Sequence, residues 1–366
     1  MSLIVGLFFF TTFIQLIFWG AIFARLAFYR EKSEPLQTDQ PVSILICARN
    51  EAENLARHLP RILNQNGRSY EVLVISDNST DDTLKYLTYL QRASPHLRVL
   101  DYRRETGNRV GKKFALAKGI ESARHEVLLL TDADCAPASE NWLNKMRAVL
   151  HDAIEIGLGY APYEIRPGFL NKVIRFETTY AAIQYLSFAL AGMPYMGVGR
   201  NLIYKKALFR RAGGFKKHEN IASGDDDLFV NQVATATNTK IILDPETFVY
   251  SEPEKNWRDW FRQKSRHLTT GTKYRLHHQV LLGALSLSHT GHYLLGMLVA
   301  YCMDWRLALS GYLVRIIIVT LLYKRILKKL QDPGLWLWIP LMDVLFVLYY
   351  LAFAPVLFFG KTKSWK

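Results

Sequence analysis

Three groups of acidic residues punctuate the middle of this chain. Asp77 closes the apolar run 72–75, and Asp132 and Asp134 close the run 127–130 as Thr-Asp-Ala-Asp. Asp225, Asp226 and Asp227 stand together after Gly224. The first two runs read as buried strands that end in carboxylates. Ligands of open α/β sheets bind outside the carboxyl ends of strands, so acids at one such edge point to a metal-assisted site for a phosphorylated ligand. Asp132 and Asp134 alternate, so in an extended segment both carboxylates face one way and can share an ion. Hard oxygen donors suit Mg2+ or Mn2+, and Mg2+ commonly keeps one or two protein carboxylates while substrate phosphates supply the rest. Capping a helix needs only one acid. Three packed carboxyls repel, which raises a pKa and makes one of them a candidate general base.

Weaker signals surround these. Arg49, Asn50 and Glu51 form a polar turn after the first strand, and the residues after Asp77 also suit an Asx turn and helix cap. Gly111, Lys112 and Lys113, with Arg103, Arg104 and Arg109 upstream, make a basic loop before a helix and a candidate phosphate contact. The spacing is not that of a P-loop. The stretch 256–267 sets Trp257, Trp260 and Phe261 among Arg258, Arg262, Lys264 and Arg266, which reads as an amphipathic helix lying on a membrane. Gln263 and Arg266 share one of its faces. The ten histidines show no HExxH spacing, and there is no GxSxG, so hydrolysis through a nucleophile has no support.

The elements that must position these residues alternate. Strands are expected at 42–47, 71–75, 97–102, 126–130 and 241–249, with helices at 54–64, 82–93, 113–123, 141–150 and 170–191. Such alternation means an α/β class with a parallel sheet. No repeat or linker divides it. The domain is expected over 38–254, followed by the amphipathic segment 255–278.

Membrane flanks the domain. Residues 3–28 are nearly all apolar, about the length a bilayer span needs, and no small-residue cleavage site follows, so an anchor over 1–30 is expected. Apolar segments return at 280–303, 307–323 and 335–359, within a terminal region 279–360. The mean hydropathy of +0.01 averages a polar middle with apolar ends. Arg30 and Lys32, and Lys324, Arg325, Lys328 and Lys329, lie on the domain's side if the chain crosses four times, which makes the domain cytoplasmic. The tail lysines, Lys361, Lys363 and Lys366, fall on the other side. Pro340, Asp343 and Pro355 suggest that the last segment is broken or re-entrant. The net charge of +14 fits positive-inside bias, attraction to anionic lipid and a basic diphosphate site. Nucleic acid is a poor partner, because the acidic groups would repel its backbone. Cys47, Cys135 and Cys302 have no CxxC partner and fit a reducing compartment.

Taken in order, the run 42–51, Asp77, Gly111-Lys112, Asp132-Ala133-Asp134, Gly199-Arg200-Asn201, Asp225-Asp226 and Gln263 to His267 resembles the family 2 inverting glycosyltransferases, over about residues 40–270. The spans are similar to those of ceramide glucosyltransferases and of hyaluronan, chitin and cellulose synthases. The resemblance implies a GT-A fold, a mostly parallel Rossmann-like sheet, between N- and C-terminal transmembrane helices. It implies Asn50, Glu51 and Asp77 around the nucleoside, Lys112 near the diphosphate, Asp134 on Mn2+ or Mg2+, and Asp132 on the ribose or the metal. Gly199, Arg200 and Asn201 would line the acceptor side. The family's Glu-Asp pair falls on Asp225 and Asp226, making Asp226 the base, while Asp227 leaves room for a register one residue later. The family's QxxRW becomes Gln263, Arg266 and His267, keeping an arginine for the diphosphate and losing the tryptophan.

The expected activity is inverting transfer of a sugar from a nucleotide-sugar, a UDP-sugar by resemblance, to a membrane lipid at the cytoplasmic face of a bacterial inner membrane. The alternatives are a processive polysaccharide synthase coupled to export, a nucleotidyltransferase, and a membrane scaffold with a decayed site.

Overall fold

The run Val42–Ala48 is apolar and wholly buried, because helices cover both faces of the sheet it enters. The computed structural model describes residues 2–31, 40–103, 112–151, 153–221 and 223–359. Lys32, Arg104, Arg109, Gly111, Lys361, Lys363 and Lys366 lie outside the described residues. Among the described residues nine strands follow in chain order: β1 (Val42–Ala48), β2 (Tyr70–Asp77), β3 (Leu97–Tyr102), β4 (Val127–Asp132), β5 (Cys135–Pro137), β6 (Ile156–Leu158), β7 (Leu202–Lys205), β8 (Thr239–Ile241) and β9 (Val249–Ser251). The main sheet runs β3-β2-β1-β4-β7-β6-β8, and β5 pairs with β9 separately. It is mostly parallel; β7 alone runs against its neighbours β4 and β6.

The first half matches its pattern closely. Helices Ala52–Leu63, Thr83–Ala93 and Lys112–Ser122 lie between the parallel strands, each within two residues of expectation at its start. The second half departs from it. The expected strand 241–249 is three pieces: β8, a short turn of helix at Pro245–Thr247, and β9. Pro245 has no N–H to give to a ladder, so a continuous strand cannot pass through it. The expected helix 141–150 shortens to Trp142–Arg147. Strand β7 was not foreseen, since its four residues follow a turn and carry no alternation.

The long helix Phe169–Leu190 joins the domain to the terminal helices. Its Phe176 stacks on Tyr323 at 5.7 Å, and Phe176 and Tyr180 meet Phe346 edge-on. Among the described residues, three helices are long and apolar enough to cross a membrane: Leu3–Phe28, Trp305–Lys329 and Pro333–Val356. The segment expected near 280–303 is a 27-residue helix, Leu276–Cys302, that packs along the first. It stands apart from the three because Ser288, His289 and His292, all buried, lower its mean hydropathy. The last segment is one continuous helix over Ile339–Phe359 rather than a broken one. Pro340 sits in its first turn, where the N–H it lacks has no partner to lose. Asp343 is buried against Arg315, whose Nη1 donates to Oδ2 at 2.5 Å.

Candidate functional site

Parallel pairing brings the first acids together. Cys47 of β1 lies beside Asp132 of β4, and Ala48 beside Ser76 of β2. The turn 49–51 therefore emerges between Asp77 and Asp132. Asn50 and Asn78 hold left-handed conformations, φ +56° and +52°, which asparagine tolerates better than most residues. Asn50 Oδ1 accepts from Thr80 N at 2.8 Å and ties the two turns into one edge. Asp77 is fully buried there, and Glu51 opens onto a cavity of about 720 Å3.

That cavity gathers Lys112, Asp132, Asp134, Arg200, Asp225 to Asp227, Gln263, Arg266 and His267, from segments spread over 150 residues. The antiparallel register sets Leu130 opposite Leu202, which carries Arg200 to the level of Asp132. Arg200 lies over the Tyr163 ring at 4.5 Å and donates to Ser251 Oγ. Asn201 faces away: its amide donates to the Tyr160 and Thr247 carbonyls at 2.9 and 2.8 Å and accepts from Trp142 Nε1 at 3.0 Å. It supports the wall from behind, a role the motif alone did not suggest.

Lys112 bridges the acidic groups. Its Nζ donates to Asp132 Oδ1 at 2.5 Å and lies 3.5 Å from Asp225 Oδ2. Burial is the largest influence and acts to raise the Asp132 carboxyl, but Lys112, Arg200 and Arg266 together hold its pKa below the usual range. Asp134 moves the other way, pushed up by burial and then by Asp132. Among the described residues no group of three or more His, Cys, Asp or Glu side chains could hold a metal. Two carboxylates of which one resists ionisation when alone suit a hard divalent cation that completes its shell from a diphosphate.

Gly224 adopts φ +95°, and a Cβ there would lie 2.4 Å from Leu228. This turn delivers the aspartates to the start of the helix Asp227–Val233, and each takes a different place. Asp225 faces Lys112. Asp227 accepts from Tyr274 Oη at 2.8 Å and from Thr270 Oγ1, so its carboxylate is spoken for. Asp226 accepts from the N–H groups of Gly199 and Asp227, each at 2.7 Å, and opens to the cavity. Burial, then Asp225 and Asp227, push its pKa up to about 7. Gly199 is small because Asp226 presses on it: a Cβ there would meet Asp226 Oδ2 at 3.1 Å.

The amphipathic helix Trp257–Leu268 closes another side. Its Trp260 is buried against Phe353 rather than left at head-group level, while Trp257 and Phe261 stay exposed. Gln263 donates to Glu254 at 3.2 Å and accepts from Tyr163 Oη at 3.3 Å. Lys264 forms a buried ion pair with Glu177 of the long helix. His267 lines the cavity with part of its side chain exposed, and desolvation by the protein around it, then Lys264, Arg266 and Arg200, hold its pKa well below the usual histidine range. The clamp on Asp227 and the Lys264–Glu177 pair escaped the sequence. Thr270 and Tyr274 lie 43 and 47 residues beyond Asp227, so no local pattern marks them.

Comparison with known proteins bears on the family and the fold. Residues 43–210 match glycosyl transferase family 2, and residues 127–358 match glycosyl transferase family group 2. A β-monoglucosyldiacylglycerol synthase of Nostoc sp. is 36% identical over 129 residues, 34% of this chain and 26% of that protein. A dolichyl-phosphate β-glucosyltransferase of Dictyostelium discoideum is 30% identical over 128 residues, 32% of this chain and 38% of that one. The aligned part thus spans well under half of either relative. A mannosyltransferase from Pyrobaculum calidifontis, solved with GDP-Man and Mn2+, superposes with a TM-score of 0.60 at 17% identity, covering 95% of this chain and 98% of that one. That likeness concerns the fold, which is GT-A.

Proposed function

The chain belongs to glycosyl transferase family 2, and from that premise we propose that it moves one sugar from a nucleotide-sugar to a membrane lipid, with inversion at the sugar's C1. The observation that carries this reading is a single cavity. It is lined both by acids and cations suited to a diphosphate and by side chains of the terminal helices, among them Leu282, Tyr349 and Phe353. Relatives named for glucosylating diacylglycerol lipid and dolichyl phosphate favour a lipid acceptor. The donor's base and sugar follow the family only as far as a hexose on a nucleoside diphosphate, with UDP the working choice.

Asn50, Glu51 and Asp77 would hold the nucleoside at the edge of β1 and β2. Asp134, with Asp132, would hold Mn2+ or Mg2+, which when bound neutralises charge growing on the leaving diphosphate. Lys112, Arg200 and Arg266 add fixed positive charge around the same oxygens. Gln263 steadies the wall that carries Arg266. Asp226 takes the proton of the acceptor hydroxyl as its oxygen bonds to C1 from the face opposite the diphosphate. The C1–O bond breaks, and its electron pair leaves on the nucleoside diphosphate. Gly199 orients Asp226 through its N–H, and Asp225 balances Lys112. A base with a pKa near 7 holds its proton poorly enough to be free at neutral pH and well enough to accept one.

The domain is read as 38–254, with the amphipathic helix and terminal helices beyond it. The helix Leu276–Cys302 is taken as a further crossing, which puts Arg30 and Lys324 to Lys329 beside a cytoplasmic domain in a bacterial inner membrane.

The test is nucleoside diphosphate release by purified protein in lipid, across a donor panel with Mn2+ or Mg2+, beside Asp226→Asn. Expected are donor-specific release lost at least 100-fold in the variant, one sugar added to lipid, and an inverted anomer. No release with any donor, or a retained anomer, would overturn the reading.

A further inference from the structure

We infer that Gly283 keeps open a slot for the hydrocarbon chain of a membrane lipid, between the helices Leu276–Cys302 and Ile339–Phe359. The inference rests on the lipid-acceptor reading above and adds the place where the lipid's tail lies.

Gln279, Leu282, Gly283 and Ser286 all line the cavity. Their spacing of three and four residues puts them on one face of the helix Leu276–Cys302. Leu276, Val280 and Leu287, seven and three residues before Gly283 and four after it, are exposed by 75%, 61% and 73%, so Gly283 stands where the cavity-lining face meets the outward one. Inside a membrane-flanked bundle those leucines and valine meet lipid. One helix therefore has bilayer on one side and the candidate active-site cavity on the other. Across the cavity, Phe346, Tyr349, Tyr350 and Phe353 of the last helix supply an aromatic wall, and Leu341, Val344, Leu348 and Leu351 of the same helix are again exposed.

Gly283 is the informative residue. A helix interior disfavours glycine by roughly 1 kcal/mol relative to alanine, so its presence calls for a reason. Close packing is the usual one, and it applies elsewhere in the same helix: a Cβ at Gly291 would lie 2.9 Å from Thr11, and one at Gly296 would lie 3.0 Å from Phe8. Gly283 differs, because a Cβ there would meet nothing within 4 Å. The helix leaves room here that no protein atom uses, about seven residues or roughly 10 Å from its start at the domain. Gly283 lines the same cavity as Asp226, together with Leu282, Leu285 and Phe346. An alkyl chain suits this lining, while Gln279 and Thr270 nearer the aspartates suit a polar head.

The experiment compares wild type, Gly283→Ala and Gly283→Leu in vesicles of phosphatidylethanolamine and phosphatidylglycerol doped with a diacylglycerol carrying a diazirine in one acyl chain. Photolabelled peptides are mapped, and stabilisation by UDP with Mn2+ is measured in parallel. Wild type and Gly283→Ala are expected to be labelled within 276–302 and 339–359, and Gly283→Leu to lose most of that label, by about fivefold or more. UDP-dependent stabilisation should persist in Gly283→Leu, which shows that it folds. Equal labelling of Gly283→Leu and wild type, or labels confined to the outward residues such as Leu287 and Leu348, would overturn the slot. The outcome is separable from the transfer reaction. Asp226→Asn abolishes turnover if the proposed function holds, whatever happens to the label. A labelled slot in a protein that releases no nucleoside diphosphate would instead sink the proposed function alone.

Discussion

At the scale of single residues, the three consecutive aspartates show how neighbours in sequence acquire different chemistry. All three line the cavity, but Asp227 is held by Thr270 and Tyr274 and Asp225 faces Lys112, while Asp226 accepts only from backbone N–H groups and has a pKa pushed up to about 7. If Asp226 must be ionised to accept a proton, kcat/KM rises with pH through about 7 and then levels. A pH–rate profile checks this. Stability has the opposite slope. The folded protein binds this proton more tightly than the unfolded chain, so the contribution is full below the ordinary aspartate value and is lost as pH climbs through about 7. Asp226→Asn should flatten that part of the Tm-versus-pH curve while abolishing turnover. Asp134→Asn should leave the fold intact and remove Mn2+-dependent UDP binding, read by calorimetry with and without the ion. Unchanged Mn2+ dependence would remove Asp134 from the metal site.

At the scale of elements, two features carry more than their length suggests. The Gly224 turn aims the aspartates, and it needs φ +95° with Leu228 pressed against it. Gly224→Ala meets both strain and collision, so activity should fall with a Tm loss of several degrees, measured by thermal unfolding in detergent. The helices Trp305–Lys329 and Ile339–Phe359 are joined by Arg315 and Asp343, both nearly inaccessible. Tyr293 also donates to Asp343 Oδ2 at 2.6 Å, and Gln15 Oε1 accepts from Arg315 Nη2 at 3.0 Å. Removing one charge strands the other in an apolar bundle. Asp343→Ala is expected to cost about 3–5 kcal/mol, and Asp343→Ala with Arg315→Met to recover much of it. A double variant no more stable than the single one would show that the pair is not the unit.

At the scale of the whole molecule, a GT-A domain and a helical bundle share one cavity. Neither part encloses it alone: Asp132 and Asp226 come from the domain, Tyr349 and Phe353 from the last helix. This is the arrangement expected of an enzyme whose donor arrives from water and whose acceptor arrives from the bilayer. Phe346, Tyr349 and Tyr350 of the last helix line the cavity, and the proposed reaction adds one sugar per lipid rather than exporting a polymer. Mass spectrometry of the lipid product checks this; a ladder of masses spaced by one sugar would favour the polysaccharide synthase.

By itself the sequence determined the alternation of strands and helices up to β4, because the runs of β1, β2 and β4 are short, buried on both faces and bounded by turn residues, while β3 is a half-buried edge strand. It also determined the acidic groups, the apolar ends and the order of motifs that resembles the family. These are local signals, set by chain chemistry within a few residues. Only the tertiary structure decided what each acid does. Lys112 chooses Asp132 and Asp225 across 20 and 113 residues, and Asn201 turns from the cavity to bind Tyr160, Thr247 and Trp142. The break at Pro245, the antiparallel β7 that brings Arg200 to Asp132, and the open space at Gly283 belong to the same class. Each depends on partners distant in sequence, and the ionisation, orientation or emptiness of a site is a property of what surrounds it once the chain has closed.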